Sequence, residues 1–267
     1  MTSRFWRGAA IAAVILATLA AILASQVYLT RSFSAAQLPD ARLRATLYAG
    51  SIQGAMQRHQ VVPLLLARDP FLTLALGAGR SINVEERLET FRTDTGAGSI
   101  FLIDSEGKVT ASSGDIRPGS YEGDKPYFTQ AIGDDGTVLS IVDLPDGNRT
   151  FHYSRKVEVE GEFLGVIVVT VDLSQFEEGW RRSRVRVAVS NSEDEILLAS
   201  EPSWRGSALP QVLAPAPDPS PVERVLRAAR DRVDAAPFVY IDGAPYLSAE
   251  VPVGFRNWKL SFFATIE

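Results

Sequence analysis

Cysteine is absent from the 267 residues, which removes disulfides, thiolate metal ligands and cysteine nucleophiles together. Histidine occurs only as His59 and His152, too far apart in sequence to point to a metal cluster. Lysine is scarce and arginine common, so a lysine placed in a central loop carries more information than usual. There is no basic surplus either: the formal net charge is −5, so nothing here makes an electrostatic footprint for nucleic acid. Neither a Gly-x-Ser-x-Gly elbow nor a His-Glu-x-x-His pair occurs. The adjacent carboxylates Glu177 and Glu178 diverge on a helix, a poor arrangement for joint acid and base work. These absences count against an anchored extracytoplasmic enzyme.

Charge is also missing from one long run. Gly8 to Thr30 holds no charged residue and is rich in Ala, Ile, Leu and Val, long enough to cross a bilayer as a helix. Arg4 and Arg7 precede it, which keeps residues 1–7 in the cytoplasm and sends the chain after residue 30 outside. The alternative, a cleaved signal peptide, fits less well, because the run is long and no Ala-x-Ala site closes it. From Arg31 to about Arg68, Leu38, Leu43, Leu47, Ile52 and Met56 recur at helical spacing. A stalk leaving the membrane is expected, or else a separate core helix after a short linker. Pro63 and Pro70 bend or end it. Further short helices are predicted over 71–76 and 85–95, closing an N-terminal region of 31–96.

Strand patterns follow. Ser99 to Asp104 and Lys108 to Ser112 flank Ser105-Glu106-Gly107, which is hairpin chemistry. Three more strands are predicted over 137–142, 150–159 and 163–172, with Val166 to Val169 buried on both faces. Between the two groups lies Gly123-Asp124-Lys125-Pro126-Tyr127-Phe128-Thr129-Gln130-Ala131. Its proline suits the first turn of a helix, having no N–H to lose and a fixed φ. That helix sets Lys125 and two aromatics beside its positive end, where an anionic group is favoured. Five strands with one inserted helix argue for an antiparallel sheet in an α+β layer. After a connecting helix over 174–184 a smaller version of the same plan is expected. Its strands fall at 185–190, 195–200, 238–241, 246–251 and 258–263, with a Pro/Ala/Ser-rich loop over 209–221 and a helix over 221–234.

The order of these parts carries a family resemblance. An anchor and stalk, Phe101-Leu102-Ile103-Asp104, the Lys125-Pro126-Tyr127-Phe128 helix start, Phe151-His152-Tyr153-Ser154-Arg155 and Gly165 through Leu173 together resemble double Cache domains, which are extracytoplasmic PAS-like sensor modules. Within them the chain is most similar to the sensor region of bacterial four-carbon-dicarboxylate sensor histidine kinases. The resemblance implies a ligand-binding membrane-distal module over 97–173 and a connecting helix with a membrane-proximal module over 174–267. It implies a small carboxylate as ligand, a homodimer, a place in the bacterial inner membrane and a response regulator as partner of the full-length protein. No cofactor is expected in this chain, since ATP and Mg belong to a kinase part expected beyond Glu267.

Carried over residue by residue, Lys125 stands where the family uses an arginine for a carboxylate; it keeps the charge but loses the bidentate fork. Tyr127 would line the pocket, Tyr153 and Ser154 would supply hydroxyls from the facing strand, and Tyr121 would close it from the loop. Thr170 occupies a place where the dicarboxylate branch often has a lysine, and the region of Val142 and Asp143 lacks the family's Ser/Thr pair. The alternative is an amino-acid or amine receptor with Asp172 taking the ammonium, although Lys-Pro-Tyr-Phe lacks the Arg-x-Trp pattern of that branch. Plainer roles also stand beside these. Asp172 or Ser174 serves as a helix N-cap, Tyr127 and Phe128 fill a core, and His152, facing away from Phe151 and Tyr153, has no assigned role.

Overall fold

The computed structural model describes residues 37–78, 83–144, 148–213 and 238–265, with 18 and 25 as isolated positions. The apolar run at 8–30, expected to span the membrane, and the helix expected at 221–234 lie outside the described residues, save those two positions. Helix α1 covers residues 37–60 and is followed directly by α2 (Val62–Leu66), then α3 (Pro70–Ala78) and α4 (Val84–Thr95). Ala41, Ala45, Ala49, Ile52 and Met56 form the buried stripe of α1; three small residues in a row let it lie close against the body. Among the described residues no single helix is long and apolar enough to cross a membrane. Gln37–Leu66 and Pro70–Gly77 pass that test only together, across a 63° bend. Ile52, Met56, Leu66 and Leu72 within that pair are fully buried in the body.

The first sheet contains β1 (Ser99–Asp104), β2 (Val109–Ser112), β3 (Val138–Asp143), β4 (Arg149–Val159) and β5 (Glu162–Val171), with α5 (Pro126–Ile132) inserted before β3. All pairings are antiparallel in the order β2-β1-β5-β4-β3. β5 is central and Val166, Ile167, Val168 and Val169 are each at 0 % exposure, as the unbroken apolar run requires. Gly165 is needed where β5 crosses close to β1, since a Cβ there would lie 2.1 Å from the Ile103 carbonyl oxygen. One face of the sheet carries α2–α4 through Leu66, Leu72 and Leu88. The other carries α5 through Tyr127, Phe128 and Ala131.

Helix α6 (Ser174–Arg182) leads to a second sheet of β6 (Arg186–Ser190), β7 (Ile196–Ala199), β8 (Phe238–Ile241), β9 (Ala244–Pro252) and β10 (Lys259–Thr265), with the short α7 (Leu209–Val212) after β7. Its order, β7-β6-β10-β9-β8, repeats that of the first. The expected α+β build with two antiparallel sheets is thus present. A single apolar cluster joins them: α1, the first-sheet residues Leu139, Phe151, Tyr153 and Val171, and the second-sheet residues Val187, Val189, Leu247 and Leu260. Phe151 meets Trp258 at 5.8 Å between ring centroids. The long N-terminal helix is therefore laid along both sheets and does not stand free of them.

Candidate functional site

The loop between β2 and α5 is held down on its own hairpin. Lys108 and Tyr121 form a β-bridge, and the Glu122 N–H donates to the Gly107 carbonyl at 2.8 Å. Gly107, at φ 87°, has no room for a Cβ, which would lie 2.7 Å from Gly123. This seating delivers Lys125 to the start of α5, where it is half-buried. At the other end of the loop Ser113 accepts from the Ile100 N–H at 2.9 Å and donates to its carbonyl at 3.0 Å.

Beneath the loop lies a cavity of about 1080 Å³. Its floor is a row of polar side chains on neighbouring strands, brought level by register: Ser99 pairs with Thr170 and Thr170 with His152. The Thr170 hydroxyl lies 2.8 Å from the Ser99 hydroxyl and 3.2 Å from His152 Nδ1, and the Thr150 hydroxyl 2.8 Å from His152 Nε2. Burial pushes the His152 imidazolium down to about 4, so the ring is neutral at pH 7. The Tyr127 ring covers it at 4.8 Å.

The wall holds charges of both signs. Arg92, Lys125, Arg149, Arg181 and Arg205 face Asp115, Glu122, Asp143, Asp172 and Glu177. Most of the basic groups are already engaged. Arg92 binds Glu89, Arg149 lies 2.5 Å from Asp143 and 2.6 Å from Glu195, and Arg205 is 2.6 Å from Glu177. Lys125 and the exposed Arg181 form no ion pair among the described residues, whereas Lys108, Lys156 and Lys259 each do. A half-buried ammonium without a carboxylate has donors to spare for an anion.

Of the residues the sequence singles out, Lys125, Tyr127, Thr170 and Asp172 line this cavity. The Tyr127 hydroxyl is committed, donating to Glu122 at 2.6 Å. Burial and the neighbouring Glu122 carboxylate raise its pKa well above the usual phenol range. Asp172 Oδ1 accepts from the N–H and hydroxyl of Ser174, at 2.9 and 2.6 Å, an Asx turn that starts α6. Three expected positions fall elsewhere. Tyr153 points to the opposite sheet face by alternation and packs against α1 and the second sheet, its buried hydroxyl without a partner. Ser154 shares the cavity face but sits two residue pairs beyond His152, opposite Val168 and Val138, fully buried and also without a partner. Tyr121 is 62 % exposed and covers Gly123. His152, which the sequence left without a role, supplies the floor; alternation from Thr150 and pairing with Thr170 were the available signals. Arg149 and Arg205 had none.

Two sheets of the same strand order, each with its connecting helices, make a tandem α+β repeat. No family model matches the chain. It is 29% identical over 204 residues to the C4-dicarboxylate transport sensor protein DctB of Rhizobium meliloti, covering 74% of this chain and 32% of that protein. It is 26% identical over 278 residues to the protein of the same name from Pseudomonas aeruginosa, covering 97% of this chain and 42% of that one. The chain thus spans about a third to two-fifths of these relatives' length. In structure it is similar to the sensor domain of the V. cholerae histidine kinase DctB, with TM-score 0.63 and 20% identity over 87% of this chain and 98% of the other. It is also similar to the ligand-binding domain of the Pseudomonas aeruginosa PAO1 amino acid chemoreceptor PctC in complex with GABA, with TM-score 0.56 and 18% identity over 82% and 96%. The likeness to Cache sensor domains, those of C4-dicarboxylate sensor proteins among them, holds in sequence and in fold.

Proposed function

We propose that this chain is the periplasmic input region of an inner-membrane sensor histidine kinase and that its cavity takes a small carboxylate, a four-carbon dicarboxylate such as succinate, fumarate or malate first. The observation that carries this is Lys125, the half-buried lysine without a carboxylate partner among the described residues, set over a floor of hydroxyls and neutral imidazole. A floor without formal charge leaves the sign of the ligand to the wall, where Lys125 and Arg181 are the basic groups without an ion pair among the described residues. The relatives named for C4-dicarboxylate sensing support the same choice.

A second reading, an amino-acid ligand, is favoured by one feature: Asp115 and Asp172 line the same cavity and offer carboxylates to an ammonium. The chemoreceptor neighbour bound to GABA fits it. On the first reading the protein works as a homodimer, and a response regulator, ATP and Mg belong to a kinase part outside this chain; on the second the output is that of a chemoreceptor or another transmembrane receptor. Leu43 and Leu47, exposed at 58 and 62 %, continue through Gly50 and Gly54, where nothing lies within 4 Å of an added Cβ. The 4-3-4 spacing suits a helix-to-helix seam between copies.

Calorimetric titration of the chain with succinate, malate, alanine and GABA separates the readings. Succinate or malate should bind, and Lys125→Ala should weaken them at least tenfold, about 1.4 kcal/mol. Binding of alanine or GABA alone, weakened by Asp172→Asn, selects the second reading. Lys125→Ala binding as tightly as the parent rejects the first.

A further inference from the structure

The lower end of the cavity is walled by residues that also fasten the two sheets together. Arg149 opens β4 opposite Asp143, and its side chain is 10% exposed. Its Nε donates to Asp143 Oδ1 at 2.5 Å, its Nη2 to Glu195 Oε1 at 2.6 Å and its Nη1 to the Ile196 carbonyl at 3.1 Å. Glu195 and Ile196 stand at the start of β7, in the second sheet, and neither lines the cavity. The next residue of β4, Thr150, holds His152 Nε2, so the floor and the inter-sheet tie are four residues of one strand. From the other side Arg205 reaches back to Asn148 Oδ1 at 2.8 Å while bonded to Glu177.

We propose that Arg149 is the residue through which the second module reads the occupancy of the cavity, with Glu195 as its positioning residue. The physical ground is charge. One guanidinium is shared by two carboxylates, Asp143 and Glu195, and an anion entering the cavity adds a third negative charge around it. That loosens the hold on Glu195, and by linkage whatever loosens Glu195 favours the anion by the same factor. The guanidinium is 10% exposed while Glu195 and Asp143 are 38 and 68% exposed, so salt screens the tie in part and the effect is largest at low ionic strength. The ligand arm of the test rests on the small-carboxylate reading above; a second arm does not.

In the first arm, succinate is titrated calorimetrically into the full chain in detergent. Glu195→Gln, which removes a negative charge outside the cavity, should tighten succinate about fivefold, and Arg149→Gln should weaken it. A merely structural Glu195 would lower thermal stability and leave the affinity unchanged, which overturns the proposal. The second arm uses the fact that the chain has only two histidines. In the ligand-free protein labelled at histidine, Glu195→Gln should shift the ring resonances of His152 and leave those of His59 in place. Unshifted His152 signals overturn the proposal even if succinate does not bind, in which case the ligand class alone has also failed. Should Glu195→Gln not fold, Arg149→Lys keeps the charge and breaks the shared fork; the same shift is expected, and its absence counts the same way.

Discussion

The two sheets of this protein are built alike and filled differently. In both, a serine after the second strand clamps the first: Ser113 takes the Ile100 N–H and Ser200 the Val187 N–H. In both, the first hairpin turn is closed by an Asx side chain, Asp104 or Asn191. A bulge follows at the same place, Leu102/Ile103 or Val189/Ser190. Aligning these features sets the floor row Ser99, Thr170 and His152 against Arg186, Phe263 and Ser248. Where the first sheet has a threonine and a cavity, the second has Phe263 packed edge-on to Trp204 at 6.1 Å. Arg186 lies over Trp204 and Tyr246 at 6.0 and 5.1 Å. The same sheet face thus becomes cavity or core according to the volume standing at one cross-strand row.

The largest effect that tests this comparison is loss of the filler. Phe263 is 3% exposed, and Phe263→Ala should cost about 4 kcal/mol by transfer and cavity terms, whereas Thr170→Ala at the matching place should cost only about 1 kcal/mol. Urea unfolding of both variants checks the contrast; equal losses would mean that the first sheet's row is packed as tightly as the second's. Next in size is a pH effect confined to the first sheet. With its pKa pushed down to about 4 by burial, His152 binds a proton more readily in the unfolded chain. Its contribution is therefore whole above about pH 6.5 and is lost as pH falls towards 4, by about 3 kcal/mol. His152→Phe should flatten stability over that interval, measured by denaturant unfolding at pH 7 and pH 4. Smaller again, Thr170→Phe gives the first sheet the second sheet's residue. It should cut succinate affinity at least tenfold, about 1.4 kcal/mol, read by calorimetry, while the chain still folds.

How far the residues themselves announced all this depends on which interactions carry each part. Strands and helices were legible because their signals are local. Pro126 marks α5 and the Val166 to Val169 run marks the central strand; the N-cap of α6 is Leu173, not Asp172 or Ser174 as expected, and Asp172 forms an Asx turn just before it. Lys125 was legible because a proline-started helix after a glycine-rich loop fixes where the preceding side chain goes. The floor was only half legible. Thr150 and His152 alternate visibly with Phe151 and Tyr153, but which face holds the cavity depends on where α5 and α1 settle, and that is decided between distant segments. Tyr153 was drawn to the wrong face by its hydroxyl; its ring is instead part of the cluster joining α1 to both sheets. Arg149 and Arg205 were invisible for the same reason: Asp143 lies six residues from Arg149, but the partners that make the tie, Glu195 for Arg149 and Glu177 for Arg205, lie 46 and 28 residues away.

The smallest expected effect bears on where the cavity ends. The Ser154 hydroxyl is on the cavity face yet buried without a hydrogen-bond partner, two pairs along from His152 and between Val138 and Val168. A buried hydroxyl with nothing to bond costs free energy that an alanine of nearly the same shape does not. Ser154→Ala should therefore raise stability by up to about 1 kcal/mol and leave succinate affinity as it is. The same substitution at Thr170 loses two hydrogen bonds and alters the floor of the cavity. If Ser154→Ala instead weakens succinate, the anion penetrates beneath α5 as far as Ser154, and the comparison between the sheets must be redrawn with a second row, Phe101, Val168 and Ser154, counted as cavity.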